Sequence, residues 1–272
     1  MAGKVRKVLE LTFLAFVIGC AAPLPEASAK PASEPAKNPG RVIQVVVALC
    51  DNKYQGIVPV PARIGNGDDP KNNLYWGSSY GVDAFFRNQK DWERLPTKSH
   101  GKAIILDRVV FKNKRHNVYL VADAYRGREI KQATIDFLGF AAGRGREFIE
   151  AGKTKLIIGG GADMIAFVGH DGLMDFHLDE ALTTVDEVHR DAVILACKSR
   201  QFFTPALRPT GARPLLWTNQ LMAPEAYVLK AAVDGWIAGD SGSKIKERAA
   251  QAYDQYQRCG IKGARNTFAT GW

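Results

Sequence analysis

The sequence predicts an α/β protein built on a doubly wound, mostly parallel sheet flanked by helices. Three observations carry that expectation. Apolar, β-branched runs alternate along the chain with longer amphipathic stretches, the pattern of parallel strands joined by helical crossovers. The first run, VIQVVVAL from Val42 to Leu49, is apolar at nearly every position, which fits a strand buried on both faces. About 230 residues follow the first 40, enough for one sizeable domain, residues 41–272.

The elements follow in order. After the Val42–Leu49 strand comes a loop, 51–77, punctuated by Pro59, Pro61, Gly65, Gly67 and Pro70. A connection of that length in a compact domain is usually functional or disordered, and Tyr75, Trp76 and Tyr80 argue against disorder. Residues 82–92 read as a helix. Residues 103–111 (AIILDRVVF) and 117–124 (NVYLVADA) read as strands about a basic turn, and residues 128–151 as a helix. Residues 155–158 form a short ambiguous run before three glycines, 159–161. Residues 164–168 (MIAFV), 192–196 (AVILA) and 214–218 (PLLWT) read as strands, and 177–189 as a helix. Helices are expected over 224–238, with proline in the first turn where it is tolerated, and over 244–258, before a glycine-rich tail.

The amino terminus carries an export signal. Lys4, Arg6 and Lys7 precede the apolar run Leu11 to Gly19, which is too short to span a bilayer as a permanent helix. The run closes on Val17-Ile18-Gly19-Cys20, which resembles a bacterial lipobox, so residues 1–19 read as a signal peptide and Cys20 as the lipidation site. Residues 20–40, rich in Pro, Ala, Ser and Lys, cannot bury a core and read as a tether to a membrane anchor. The competing site is Ala27-Ser28-Ala29, where ordinary secretory cleavage would release a soluble periplasmic or secreted protein. Both readings export the chain. The first makes it a cell-envelope lipoprotein.

Bulk composition excludes several classes. The chain has 272 residues, 46% hydrophobic and 24% charged, as ordinary globular proteins do. The net charge is +9, but the basic residues are scattered as on a solvated surface and nucleic-acid-binding motifs are missing, so no nucleic-acid partner is expected. Of four cysteines, export removes Cys20 from the count and leaves Cys50, Cys197 and Cys259. Three is odd, so at least one thiol is free or paired outside the chain.

In open α/β sheets, sites form outside the carboxyl ends of the strands. Three reactive residues directly follow strands: Cys50 after VVVAL, His170 after MIAFVG and Cys197 after AVILA. His170 and Cys197 make a base and a nucleophile, since imidazole activates a thiol and protonates a leaving amine. Gly169 and Gly172 allow a sharp turn whose backbone N–H groups could stabilise an oxyanion. Cys50, Asp171 and Trp76 are candidates for lining the same cleft. No His, Cys or carboxylate spacing suggests a metal site.

The segments Phe167-Val168-Gly169-His170-Asp171-Gly172 and Ile194-Leu195-Ala196-Cys197-Lys198-Ser199 resemble the two signatures of the caspase-like cysteine peptidases, a group that includes caspases, metacaspases, legumains and gingipains. In that group one apolar strand ends in His-Gly and the next in Ala-Cys or a near variant. The resemblance implies a caspase–haemoglobinase fold, with His170 as general acid/base and Cys197 as nucleophile. It implies hydrolysis of a protein or peptide substrate, with no metal or organic cofactor in the chemical step. The chain departs from the pattern where Asp171 separates His170 from Gly172.

Plainer readings stand beside these. His170 could be a strand-end histidine bonded to backbone. Cys197 could be a core residue or half of a disulfide with Cys50 or Cys259, which would block catalysis. Cys50 could be a packed strand end. Asp68 and Asp69 in an asparagine-rich turn match no calcium loop. The expectation is therefore an exported thiol hydrolase using a His170–Cys197 dyad. The alternative is a catalytically inactive envelope lipoprotein of the same fold, acting as a binding or scaffolding module.

Overall fold

The computed structural model describes residues 1–3, 37–98 and 101–272. The chain divides into two units, Met1–Ala36 and Lys37–Trp272. Only residues 1–3 of the first are described, so residues 4–19 of the expected signal peptide, Cys20 and residues 21–36 of the expected tether lie outside the described residues.

Among the described residues the second unit contains ten strands: β1 (Arg41–Ala48), β2 (Trp92–Leu95), β3 (Ile105–Asn113), β4 (Val118–Tyr125), β5 (Glu147–Ala151), β6 (Thr154–Ile158), β7 (Met164–Val168), β8 (Asp191–Leu195), β9 (Arg213–Thr218) and β10 (Phe268–Ala269). Its helices are α1 (Val82–Arg87), α2 (Ile130–Ala141), α3 (Ser199–Leu207), α4 (Ala226–Ile237), α5 (Gly242–Gln257) and α6 (Ile261–Thr267). Eight strands form one sheet in the order β10-β9-β8-β7-β1-β4-β3-β2, and β5 and β6 pair as a separate hairpin. β1 runs parallel to both β4 and β7, β7 to β8, and β8 to β9. The pairings of β2, β3 and β10 are antiparallel. The architecture is α/β, a mixed sheet flanked by helices, consistent with the doubly wound class.

The apolar run in β1 is explained by burial on both faces. Ile43, Val45 and Val47 pack with Phe86 of α1, Val228 of α4, Ile245 of α5 and Ala264 of α6. Val42, Val46 and Ala48 point the other way, into the core that holds Phe137 of α2 and Phe203 of α3. Each of the valine and isoleucine side chains contributes about 1.5–3 kcal/mol through burial. Gln44 is the polar interruption, and it is satisfied. Its Nε2 donates to Asp123 Oδ2 at 2.9 Å, and Asp123 accepts in turn from Arg108, whose Nη1 reaches Glu147 of the β5–β6 hairpin at 2.7 Å.

Several expected elements differ. The helix expected over 82–92 stops at Arg87, and Trp92–Leu95 is an edge strand. The helix expected over 128–151 stops at Ala141, because Gly143 and Gly145 adopt φ of 88° and 63°, a left-handed backbone that glycine tolerates and a helix does not. Residues 147–151 form β5 instead. No α-helix forms over 177–189. Arg190, almost wholly buried, holds that segment by donating to Asp186 and to Gly160 O. Helices α3 and α6 form where none was expected.

Candidate functional site

Chain order reverses at β1, which has β4 on one side and β7 on the other. Crevices in such sheets open at this switch, outside the carboxyl ends of the strands. Because β1, β7 and β8 are parallel, Cys50, His170 and Cys197 all leave the same edge of the sheet. Val168 pairs with Leu195, so His170 and Cys197 each lie two residues past one register pair. The Gly169 N–H extends the pairing by donating to Leu195 O at 3.2 Å. Glycine is needed there: a Cβ on Gly169 would lie 2.9 Å from Ala48 O.

His170 is 7% exposed, and its Nε2 lies 2.6 Å from Asp175 Oδ2. An ionised carboxylate only accepts, so the neutral imidazole donates from Nε2 and its Nδ1 carries the lone pair. Nδ1 has no protein partner among the described residues. Asp175 also accepts from Gly56 N–H at 3.2 Å, which ties the long 51–81 segment to the rim of β7. Asp175 was not legible as a site residue. Its signal in the sequence is only a carboxylate five residues after the histidine, across a turn that Asp171 begins by accepting from Leu173 N–H.

Cys197 ends β8 in a tight turn. Lys198 takes a left-handed backbone, φ 50° and ψ 31°, rare for a residue with a Cβ. The turn is fastened by Lys198 N–H donating to Gln220 O at 2.9 Å and Ser199 Oγ donating to Ile194 O at 2.9 Å. Ser199 N–H also donates to Thr218 Oγ1 at 3.1 Å, which locks the start of α3 to the end of β9. The Cys197 thiol is half-buried. It donates to Met222 O at 3.6 Å and accepts from Met222 N–H at 3.4 Å. Burial pushes the thiol up, the negative charge of Asp171 adds to this, and Met222 N–H and Lys198 oppose it. The resting sulfur is therefore a protonated thiol. No hydrogen bond joins it to His170 among the described residues.

Asp171 is fully buried, and its Oδ2 has no hydrogen-bond partner among the described residues. Burial, with a contribution from nearby Asp175, pushes its carboxyl up to about 7 against the pull of Leu173 N–H. Backbone N–H groups of Gly172 and Cys197 have no protein acceptor among the described residues, whereas that of Gly169 is committed to Leu195 O.

The remaining site candidates are enclosed. Cys50 is fully buried beside the Tyr75 phenol, and burial pushes its thiol up to about 11. Asn73 Oδ1 accepts from Cys50 N–H at 3.0 Å and Asn73 Nδ2 donates to Cys50 O at 2.8 Å, supplying the pairing a neighbouring strand would give. Trp76, expected to line a cleft, is instead a core residue: it is 1% exposed and its Nε1 donates to Asp107 at 3.0 Å. Cys50, Cys197 and Cys259 are all free thiols. Asp68, in the asparagine-rich turn, pairs with Arg126 and Arg128. No helix among the described residues is long and apolar enough to cross a membrane.

Comparison with protein-family models, with curated proteins and with solved structures finds no match for this chain.

An apolar cleft of about 530 Å³ opens between α2, α3 and the segment after β7. Leu173, Met174 and Phe176 follow directly on His170, and Phe202 and Pro205 lie in the helix that follows Cys197. The two arms that carry the candidate dyad thus also form the walls of this cleft.

Proposed function

We propose that the chain is a caspase-like thiol hydrolase, a cysteine endopeptidase in which Cys197 is the nucleophile and His170 the general acid/base. One observation carries the reading: His170 and Cys197 leave adjacent parallel strands two residues past the same register pair. The His170–Asp175 pair supports it, because a base held by a third group is the recurring architecture of activated nucleophiles. The unpaired N–H groups of Gly172 and Cys197 support it as oxyanion donors. The family resemblance extends the reading to a caspase–haemoglobinase fold.

In the reaction, His170 takes the thiol proton as Cys197 Sγ attacks the peptide carbonyl. The tetrahedral oxyanion collapses to a thioester as His170 returns that proton to the leaving amine. Water, deprotonated by His170, then cleaves the thioester and regenerates the thiol. The mechanism requires His170 and Cys197 to come into hydrogen-bond contact in the substrate complex, where catalytic hydrogen bonds tighten. The apolar cleft, lined by residues that come shortly after His170 and Cys197 in the chain, supports a peptide substrate that carries a large apolar side chain. The export reading belongs to the same proposal, with Cys20 as the lipid anchor that tethers the domain to a cell-envelope membrane.

Peptide-like covalent thiol probes test the mechanism. Labelling of Cys197 faster than that of free cysteine, lost in Cys197→Ala and slowed in His170→Ala, is the expected result. If every probe in a diverse panel reacts with Cys197 no faster than with free cysteine, the nucleophile assignment fails. A second reading, an inactive envelope protein of the same fold used as a scaffold, is favoured by the Cys197 thiol being bonded to Met222 rather than His170. It predicts that no probe labels Cys197 selectively. Incorporation of labelled palmitate, lost in Cys20→Ala, tests the anchor independently of either reading.

A further inference from the structure

Met222 is held in an unusual way. It lies in the irregular segment 219–225, between β9 and α4, and both of its backbone polar groups are spent on one sulfur. Its N–H donates to Cys197 Sγ at 3.4 Å and its carbonyl accepts from Sγ at 3.6 Å. Sulfur is a weak donor and a weak acceptor. A buried backbone group normally has a stronger partner, so Met222, itself buried, is the least firmly held point of the segment. The residues around it are held by oxygen. Asn219 N–H donates to Thr267 O of α6 at 2.8 Å, and Gln220 O accepts from Lys198 N–H at 2.9 Å. On the other side, Ala223 N–H donates to the Tyr253 hydroxyl of α5 at 3.2 Å, and Ala226 N–H donates to Tyr80 O at 2.8 Å. The segment is pinned on both sides of the thiol, and its middle rests on the sulfur.

We propose that residues 219–225 form a strap over the nucleophile: Met222 covers the Cys197 sulfur until a bound peptide displaces it, and Tyr253 is the positioning residue that latches the strap through Ala223. The inference gives the proposed thiol-hydrolase site a regulation, and it rests on Cys197 being the nucleophile of that site. Opening breaks the two Met222–sulfur bonds and the Ala223–Tyr253 bond, while the fastenings at Asn219, Gln220 and Ala226 stay. The freed peptide groups pair with water or substrate, so the net cost is that of a few weak bonds. Segments held in this way open locally while the fold persists. The Tyr253 ring also packs edge-on against Phe268, with centroids 5.4 Å apart. Tyr253→Phe therefore removes the latch and keeps the packing.

The test alkylates the full chain with two reagents, iodoacetamide and a bulky N-aryl iodoacetamide, and resolves each cysteine by peptide mass spectrometry. With both, the S–C bond forms as the C–I bond breaks, iodide leaves and the thiol proton goes to solvent. A change in thiol acidity therefore moves both rates alike. A change in cover moves the bulky reagent more, because the small one reaches a half-buried sulfur under a closed strap. In the wild type, the ratio of bulky to small rates should be several-fold lower at Cys197 than at the exposed Cys259. Tyr253→Phe should raise the bulky rate at Cys197 by about fivefold, the shift one lost hydrogen bond makes in an opening equilibrium, and the small rate by less. Rates at the buried Cys50 and at Cys259 should not change. Tyr256→Phe, which removes a hydroxyl from the same helix, should leave Cys197 as in the wild type. Equal ratios at Cys197 and Cys259 in the wild type overturn the proposal, even if Tyr253→Phe fails to fold. So does folded Tyr253→Phe with no change at Cys197, with an equal rise for both reagents, or with a rise that Cys50 shares. A Tyr256→Phe variant that behaves like Tyr253→Phe overturns it too. If the alkylation results hold while peptide-like probes fail on Cys197 in both wild type and Tyr253→Phe, the peptidase reading falls and the strap stands.

Discussion

His170 and Asp175 are joined by a 2.6 Å hydrogen bond through Nε2, which leaves Nδ1 as the nitrogen without a protein partner among the described residues. The orientation sets which nitrogen can act as a base. Nitrogen-15 correlation spectra of the neutral side chain should show His170 as the Nε2–H tautomer. Asp175→Ala should mix the tautomers and, in a hydrolysis assay, lower turnover by about 10²-fold or more through loss of the oriented base. A His170 protonated at Nδ1 in the wild type would contradict the arrangement.

Asn73 makes a second long-range prediction. Its amide pairs with both backbone groups of Cys50, and Nδ2 also donates to Asn66 O at 3.0 Å. Asn73→Ala leaves these buried groups unsatisfied and should cost about 2–3 kcal/mol in urea denaturation. It should also speed alkylation of the Cys50 thiol, because the 51–81 segment keeps the Gln55 bond to Leu49 O but loses both of its bonds to Cys50. Asn72→Ala, at the surface turn next to it, is expected to change stability by less than about 1 kcal/mol.

The rim of the sheet was largely legible from sequence and its surroundings were not. Continuous apolar runs such as MIAFV reveal strands buried on both faces, because nothing else satisfies such a run in a globular core; β7 spans Met164–Val168 as expected. The end of each run then marks the residues on the rim. Periodicity failed where tertiary contacts decide. Helix α3 has Pro205 inside it and only nine residues, and it is fixed by the Ser199–Thr218 bonds across the sheet. Helix α6 holds Gly263, and its apolar contacts are with α5 and β10. Segment 177–189 has helical composition but is claimed by Arg190, which reaches back to Gly160. Asp175 was invisible because its role depends on a turn geometry that spacing does not encode. Trp76 reads as a loop aromatic in the sequence because its partner, Asp107, is far away along the chain.

Two glycines separate close approach from conformational freedom. A Cβ on Gly169 would press to 2.9 Å of Ala48 O, between β7 and β1. Gly169→Ala should therefore destabilise the fold by about 1–3 kcal/mol and shift the register that places His170. Gly263, inside α6, has open space where a Cβ would stand, with nothing within 4 Å. Gly263→Ala should stabilise the fold by up to about 1 kcal/mol, the helix-propensity difference. Opposite signs in parallel urea melts check both.

A disulfide between Cys50 and Cys197 is excluded by topology. β7 lies between β1 and β8, so the two cysteines are about two strand spacings apart, roughly 9–10 Å. Bridged cysteines need Cα atoms within about 7 Å. Oxidation of the folded protein should therefore leave Cys50 and Cys197 unlinked. Any disulfide dimer should run through Cys259, which is exposed, and should vanish in Cys259→Ser.

Asp171 also makes stability depend on pH in an unusual direction. Its carboxyl ionises at about 7 in the fold, against 3.8 as the ordinary value. A raised value means that the unfolded chain loses the proton first. The stability associated with the neutral acid is therefore complete below about pH 4 and is lost as pH rises towards and through 7. At about 1.4 kcal/mol for each unit, the loss is up to about 4 kcal/mol. Asp171→Asn cannot ionise, so it should escape that loss. Near pH 4 the variant should be equal to the wild type or weaker, since the amide brings its own unpaired N–H into a sealed position. Near pH 8 it should be the more stable of the two. Urea melts at both pH values give the double difference directly, and a stability difference that does not change with pH would mean that Asp171 is not a buried acid of this kind.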